Sequence, residues 1–475
     1  MKVCVLQPDY STTDVDYKNY DPPRNLSSLL PGHDVDHVFL NKLHTYRQLK
    51  ELRKKKYAIF INLCEGYLDW AVPSIDVIHT LELLNLPYTG PNAELYDPPK
   101  ELMKYVAFTA GVATPPYVVV QNVRDIETQI NFLHYPLFVK PAKAGDSLGI
   151  DQDSLVENIS QLETKVKNLL EDYDEILIEE YIEGREFTIL VSANAGAKND
   201  CTVYTPVEFI FPGENKFKTY KLKTSELHSD ANVPCEDEEL SAKLKEAASA
   251  IFTAFNGVGY ARLDFRVKED GSIFFLEINF TCSVFYENGY EGSADYVLMN
   301  DPAKKEGFLN AIIAEGIWRH SQKQKKFQVK GNALAGYGIY ATKNIKEGEI
   351  VFSSEEKAHR LVTKKFVEQN WKPEEIENFR KYAWPLSDEV YILWDTKPSE
   401  WAPQNHSCDP NTQYSGLNVI AKREIKAGEE LTLDYTSFLN NEMESFICNC
   451  GATNCKKVIQ GKQENSITFL EKKHL

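Results

Sequence analysis

Hydrophobic runs and polar punctuation divide the first part of the chain into alternating strands and helices. KVCVLQ (2–7) and YAIFINLC (57–64) read as buried strands, and HTYRQLKELRKKK (44–56) between them is helix-prone. IDVIHTLELLN (75–85) predicts a second helix, ended by Pro87. This alternation implies a parallel α/β layer over residues 1–95. Glu65-Gly66 follows the second strand, where open α/β sheets place ligands, although a plain loop is the commoner reading.

Beyond Pro87 the period changes repeatedly. Lys100 opens an amphipathic helix with Leu102, Val106 and Thr109–Ala110 on one face, stopped by Gly111. The strand PLFVKP carries Lys140 and runs into AKAGDSLGI (142–150), a small-residue loop able to lay backbone N–H groups along phosphates. QLETKVKNLLEDY has apolar residues at 162, 166, 169 and 170 and reads as a surface helix. ILIEEYIEGREFTILV (176–191) is a strand, a turn at Gly184 and a second strand bearing Glu186. Lys223 lies in the polar stretch that follows.

The most informative pattern is GYARLDFRVKEDGSIFFLEIN (259–279). Two alternating runs flank Asp270-Gly271, a pair that favours a two-residue type I′ hairpin turn. Such a turn sets Asp264 opposite Glu277 and Arg262 opposite Asn279, with all four side chains on one face. Directly opposed carboxylates repel, so the pair asks for a cation. Asp, Glu and Asn present oxygens, which suits hard Mg²⁺ carrying nucleotide phosphates. The alternative is an ordinary hairpin with one solvated polar face.

Taken in order, PLFVKP–AKAGDSLGI, ILIEEYIEGREFTI, ARLDF and FLEIN resemble the ATP-grasp superfamily, and within it the D-alanine–D-alanine ligase branch. INLCEGYLDW and LNLPYTGPNA extend the resemblance over residues 1–320. It implies an N-terminal domain at 1–95 and an ATP-grasp domain at 96–319, with ATP held between two α+β subdomains. It also implies an acyl-phosphate intermediate attacked by an amine. Carried over by motif, Lys100 and Lys140 neutralise ATP phosphates, and Lys223 lies near the transferred phosphate. Glu179 and the Tyr181–Ile182 backbone contact adenine, with Glu186 on the ribose. Asp264, Glu277 and Asn279 hold Mg²⁺, and Arg262 stabilises the oxyanion. Two segments depart from the family: QPDYSTTDVDYKNYDPP after the first strand, and FTCSVFYENGY after FLEIN. Both replace substrate-binding runs, so D-alanine is a poor guess.

After the polar run HSQKQKKFQ (320–328), read as a linker, the composition changes. NALAGYGIYATKNIKEGEIV (332–351) sets Gly336 and Gly338 in a tight turn between strands, with a second turn at Glu347-Gly348. QNHSCDPN (404–411), EELTLDYT (429–436) and CNCGATNC (448–455) follow. In this order they resemble SET-domain methyltransferases, with a SET domain at 329–447 and a post-SET zinc segment at 448–460. The resemblance implies S-adenosylmethionine as methyl donor and a lysine-type amine as acceptor. Tyr337–Gly338 and Asn405–His406 then form the donor pocket, Tyr435 is the catalytic tyrosine, and Tyr391 walls the acceptor channel. Ala402-Pro403 stands where the family usually has Arg-Phe. Cys448, Cys450 and Cys455, with Cys408, supply four thiolates for a closed tetrahedral Zn²⁺ site. Three reduced, unligated cysteines are the alternative to that centre.

The 475 residues suffice for two or three domains, and 43% hydrophobic with 26% charged residues describes an ordinary globular composition. A net charge of −17 argues against non-specific nucleic-acid or anionic-membrane binding. No start resembling a signal peptide and no membrane-length apolar run is present. Nine cysteines without a regular framework indicate a reducing compartment, so the protein is expected inside the cell, in cytoplasm or nucleus. The expected architecture is a multidomain α+β chain: an N-terminal α/β and ATP-grasp half, then a mostly-β SET half with its zinc site. The expected function is bifunctional, an ATP-dependent carboxylate–amine ligase joined to an S-adenosylmethionine-dependent amine N-methyltransferase. Small carboxylates and amines, with a protein lysine as a further acceptor, are the expected substrates. Homodimerisation is admitted by analogy with ligase relatives. The alternative is a protein-lysine methyltransferase whose first half binds ATP only for regulation.

Overall fold

The computed structural model of the chain describes residues 1–13, 21–66, 71–143, 145, 147–211, 213, 217, 231–323, 325–332, 336–352, 360–393, 404–416 and 418–461. It comprises two compact units, Met1–Gln322 and Lys323–Leu475.

The first unit begins with a parallel sheet in which β1 (Lys2–Pro8) runs between β2 (Asp34–Leu40) and β3 (Ile59–Asn62). Helices Thr45–Arg53 and Ile75–Leu83 accompany it. The apolar pattern had shown β1 and β3 but not β2, whose DVDHVFL is only partly buried. As the edge strand it needs no continuous apolar run.

Two antiparallel sheets follow. The first contains β4 (Tyr117–Val120), β5 (Leu137–Pro141), β6 (Leu155–Val156) and β7 (Ile176–Glu180), in the order β4-β7-β5-β6. Helix Ile159–Leu169 buries Leu162, Val166 and Leu169 in the core that Val139 and Ile178 share. The second contains β8 (Arg185–Ala193), β9 (Cys201–Val203), β10 (Val207–Phe209), β11 (Asn232–Pro234), β12 (Tyr260–Val267) and β13 (Ile273–Asn279). Its order is β11-β10-β8-β12-β13, with β9 paired to β8. Helix Glu238–Ala254 packs Leu244, Ala248 and Ile251 against Phe187, Ile189 and Leu263 of this sheet.

The β12–β13 hairpin corrects one expectation in its cause while keeping its result. Asp270-Gly271 does not form a two-residue turn. Gly271 N donates to Lys268 O, Lys268 N donates to Ser272 O, and Gly271 has φ +83°. That is a three-residue loop ending in a left-handed residue, and it pairs Val267 with Ile273, one position out of the expected register. A bulge then restores it: Phe265 faces Phe275, Asp264 faces Glu277, and Leu276 between them is unpaired. Arg262 still faces Asn279.

The helix at Lys100–Thr109 turns a different face inward from the one its apolar residues suggest. Lys100, Met103, Lys104 and Ala107 are buried, while Leu102 is 45% and Phe108 75% exposed. Lys104 meets the buried Glu179 carboxylate and Lys100 lies beside Glu277, which reverses the usual polarity of the helix.

The second unit is strand-rich. β14 (Phe327–Asn332) pairs with β15 (Gly336–Ala341); of the polar run at 320–328, residues 320–323 end the helix Lys304–Lys323 and 327–328 open this strand. Gly336 and Gly338 therefore belong to a strand and not to a turn between strands. Ile339, Ala341, Val351, Val419, Ile425 and Leu433 form one core. A second cluster gathers Val367, Phe379, Tyr391, Leu439 and Met443 with Cys408 and Cys448. Among the described residues no helix is long and apolar enough to cross a membrane.

Candidate active sites and metal centre

In the first unit, Arg262, Asp264 and Arg266 alternate along one face of β12, while Leu263 and Phe265 point into the core. Thr188 Oγ1, directly across on β8, donates 2.7 Å to Asp264 Oδ1. Arg262 Nη2 donates to Asp264 Oδ2 at 3.1 Å and lies 4.0 Å from Glu277 Oε1. Lys100 Nζ lies 3.8 Å from Glu277 Oε2, and Asn279 Nδ2 donates to Glu277 Oε1 at 3.2 Å. The opposed carboxylates thus have cations beside them, supplied by the chain. Burial alone would disfavour the Arg262 guanidinium, yet Asp264 and Glu277 hold its pKa above the ordinary arginine value. Burial lowers Lys100, with Glu277 acting against that shift. The Asp264, Glu277 and Asn279 donor set fits a hard divalent cation.

Lys140 is placed beside Glu179, Nζ to Oε1 at 2.5 Å. Lys104, absent from the expected set, takes the other oxygen at 2.6 Å. Both lysines and Glu179 are buried. Burial raises the Glu179 carboxyl, but the two ammonium groups outweigh it and hold it below the usual range. Lys104 stands one helical turn beyond Lys100, a spacing that could have revealed it.

Lys140, Glu179, Arg262, Asp264 and Glu277 line one open cleft. Phe138, Tyr181 and Phe217 form its aromatic wall, with Phe138 and Phe217 rings 5.0 Å apart edge to face. Ile182, Glu186 and Leu276 also line it; the bulge turns Leu276 and Glu277 to the same side. Ser147 and Ile150 bring in the end of the AKAGDSLGI loop. Arg266 joins the lining, and its even spacing from Arg262 and Asp264 was a legible signal. Lys223, most of QPDYSTTDVDYKNYDPP, and Ala144 and Asp146 of the small-residue loop lie outside the described residues.

Where the family's substrate runs are replaced, Arg24 joins three loops. Its Nη2 donates to Leu63 O at 3.0 Å and pairs with Asp21 Oδ1 at 3.1 Å, and its Nη1 donates to Val284 O at 3.1 Å. Ser283 Oγ donates to Glu65 Oε2 at 2.6 Å, and Tyr286 OH to Asp21 Oδ1 at 2.8 Å. Phe285 between them has φ +73°, a strained conformation for a bulky residue, and its N–H is held by Asp295.

In the second unit, Asn405 Nδ2 donates to Tyr337 O at 2.9 Å and to Glu430 Oε1 at 2.7 Å. A Cβ on Gly338 would fall 2.4 Å from that Glu430 oxygen and would push the Glu430 side chain from its bond with Asn405. Tyr337 is 54% exposed. Tyr435 OH donates to Gln404 O at 2.5 Å, and Tyr435 N donates to His406 Nδ1 at 3.1 Å. With Nδ1 accepting, His406 Nε2 carries the hydrogen and faces Cys408 Sγ at 3.3 Å. Burial lowers His406 and raises the Tyr435 phenol. Tyr435 packs with Phe438 and Phe446, and Trp384 and Tyr414 pack on Phe438. Among the described residues the buried Tyr414 hydroxyl has no hydrogen-bond partner.

Tyr391 belongs to the cluster on which Tyr435 and Phe438 pack. It is fully buried, its ring 4.8 Å from Phe379 and its hydroxyl bonded to Asn440 at 2.8 Å. An aromatic strand can face either a channel or a core, and here helix Pro373–Tyr382 covers Tyr391 through Phe379. Ala402-Pro403 lies outside the described residues.

The sulfurs of Cys408, Cys448, Cys450 and Cys455 all lie within 4.8 Å of one another. No disulfide joins them. Four converging thiols, two of them buried, fit a closed Zn²⁺ site. Against burial, which disfavours the thiolate, the backbone N–H groups of Cys408 and Ala452 lower the Cys450 thiol to about 6. Burial pushes Cys448 up to about 12.

Comparison with known proteins agrees with this division. A family profile described as "D-ala D-ala ligase C-terminus" matches residues 106–285, and one described as "SET domain" matches residues 336–436. A D-alanine–D-alanine ligase of Aquifex aeolicus is 30% identical over 252 residues, 52% of this chain and 79% of its own length. One of Lactococcus lactis subsp. cremoris is 30% identical over 208 residues, and the chain spans 57% of its length. The solved D-alanine–D-alanine ligase of Coxiella burnetii shares the fold, with TM-score 0.51 and 18% identity over 68% of this chain and 97% of that one. By its first unit the chain belongs to the D-alanine–D-alanine ligase family of ATP-grasp proteins, and its second unit contains a SET domain.

Proposed function

We propose that the first unit is an ATP- and Mg²⁺-dependent carboxylate–amine ligase and the second an S-adenosylmethionine-dependent amine N-methyltransferase. The observation that carries the ligase reading is the shared face of Arg262, Asp264, Glu277 and Asn279, with Lys100 and Lys140 in the same structural neighbourhood. Phosphoryl transfer needs chiefly positioning and charge neutralisation, and these residue types supply both. The substrate carboxylate attacks the γ-phosphorus of ATP, releasing ADP and leaving an acyl phosphate. An amine then attacks the acyl carbon, Arg262 stabilises the oxyanion, and phosphate departs as the amide forms. Lys223 serves near the transferred phosphate. The loops joined by Arg24 form the substrate end, so the substrates differ from two D-alanines.

In the second unit the Tyr337–Gly338 and Asn405–His406 strands hold the methyl donor, and Tyr435 borders the path to a lysine-type amine. Methyl transfer is an in-line displacement, and an aromatic surround desolvates and aligns the neutral amine. Zn²⁺ on the four cysteines would fix the C-terminal segment beside His406. The bond from His406 to Cys408 supports this coupling.

The test incubates the full chain with ATP, Mg²⁺ and pooled amino acids and measures ADP and phosphate against Glu277→Ala. Amino-acid-dependent ADP release absent from the variant supports the ligase. Nucleotide binding without turnover, together with intact methyl transfer to lysine peptides, would replace it with a methyltransferase regulated by ATP.

A further inference from the structure

Arg266 is a buried cation that the reaction outlined above does not use. It is 3% exposed and stands directly across from Glu186 in the β8–β12 register. Its Nε and Nη2 both donate to Glu186 Oε2, at 3.1 and 2.9 Å. Its Nη1 fans out to Tyr181 OH at 2.9 Å, Gly184 O at 3.3 Å and Ile182 O at 3.4 Å. The guanidinium also lies over the Tyr181 ring, 5.1 Å from its centre. One side chain therefore binds both the acid on β8 and the segment joining β7 to β8.

That segment is pressed onto β12 at a second point. A Cβ on Gly184 would fall 2.1 Å from Val267 O, and Gly184 has φ +148°. Stability alone gives little reason for such an arrangement, because a buried ion pair repays its desolvation poorly compared with apolar packing. Placement in the cleft gives a better one. Arginine's planar fork holds several acceptors in one fixed geometry, where lysine offers a rotatable point charge and methionine no donor.

We propose that Arg266 is a positioning residue for the nucleotide, holding Glu186 as the acceptor for the ribose hydroxyls and locking the Tyr181–Gly184 segment that borders the base. The inference rests on the ATP-site reading and adds to it the origin of ribose selectivity. An ionised Glu186 can only accept hydrogen bonds, and a ribose diol offers two O–H donors. Fixing the carboxylate before nucleotide arrives removes the cost of ordering it on binding.

The test is calorimetric titration of the full chain with Mg²⁺ and ADP, 2′-deoxy-ADP or 3′-deoxy-ADP, so no amino-acid substrate is needed. The wild type should bind ADP about tenfold more tightly than at least one deoxy analogue, as expected for a hydrogen bond to a charged group. Arg266→Met should reduce that ratio to about twofold or less, and Glu186→Gln should do the same. Combining the two should remove no further selectivity, because they act through one contact. Arg266→Lys, which keeps the buried charge, covers the case in which Arg266→Met fails to fold; it should give an intermediate ratio. Equal weakening of all three ligands, or an unchanged ratio in Arg266→Lys, overturns the proposal. A wild type that binds no adenine nucleotide overturns it together with the ATP-site reading. Intact ribose selectivity without amino-acid-dependent ADP release removes only the ligase reading.

Discussion

Asp264 stands directly across from Glu277 because Leu276, the residue before Glu277, pairs with nothing. The turn beyond it is one residue out of step, and the bulge takes up the difference. Deleting Leu276 should remove the bulge and leave Glu277 directly after Phe275, still opposite Asp264 and on the same face. Mg²⁺-dependent nucleotide binding should survive the deletion with a loss of less than about tenfold, and Leu276→Ala, which keeps the bulge, should cost less still. Titration with ADP in the presence and absence of Mg²⁺ distinguishes the two. Equal effects would mean that Leu276 acts by packing alone.

Glu179 is the common partner of Lys104 and Lys140, so the three charges should not be equivalent. Lys104→Met leaves one ion pair and should destabilise the first unit by about 3–5 kcal/mol. Glu179→Gln leaves two buried ammonium groups and should cost more. Calorimetric melting gives the order, and a larger loss in Lys104→Met would contradict the arrangement.

The same group sets an acid limit. Folding holds Glu179 below its ordinary value of 4.5, so between the two values the unfolded chain binds more protons than the folded one. The stabilisation is fully present above about pH 4.5 and is lost as pH falls through the folded value. Melting temperature measured from pH 6 down to pH 3 should show this loss, and Glu179→Gln should flatten that part of the profile.

Cys450, lowered to about 6, should be the fastest of the four cluster thiols to alkylate with iodoacetamide at pH 7 once metal has been stripped. Loading Zn²⁺ should protect all four and raise the melting temperature of the second unit. Mass spectrometry of the alkylated peptides reads the site. Preferential alkylation of Cys448, which burial raises to about 12, would contradict the local electrostatics.

Removing the Tyr435 hydroxyl takes away the bond to Gln404 O and should lower methyl transfer about hundredfold, the scale of losing one positioned oxygen at a reacting centre. Radiolabelled methyl transfer to lysine peptides measures it, with S-adenosylmethionine affinity in Tyr435→Phe as control. A parallel loss of affinity would place Tyr435 in the donor pocket instead.

Local pattern was enough for much of this protein. Strand alternation paired Arg262 with Asp264 and Glu277 with Asn279 along their own strands, while the bulge at Leu276 set the two pairs against each other, and motif order identified both halves of the chain. The cysteine spacing and the NHSC motif brought together four sulfurs that the fold converges. These features depend on periodicity and short-range geometry, which neighbouring residues carry. What the tertiary structure decided was partnership between distant residues. It turned Lys100 and Lys104 inward, since the half-buried Glu277 and the buried Glu179 repay burying lysines where Leu102 and Phe108 remain exposed. It sent Tyr391 into a core and surrounded Tyr435 with other rings. It joined Arg266 to Glu186, residues 80 apart in sequence. Such choices depend on desolvation and on which charge arrives from another strand, and no local stretch of sequence contains that information.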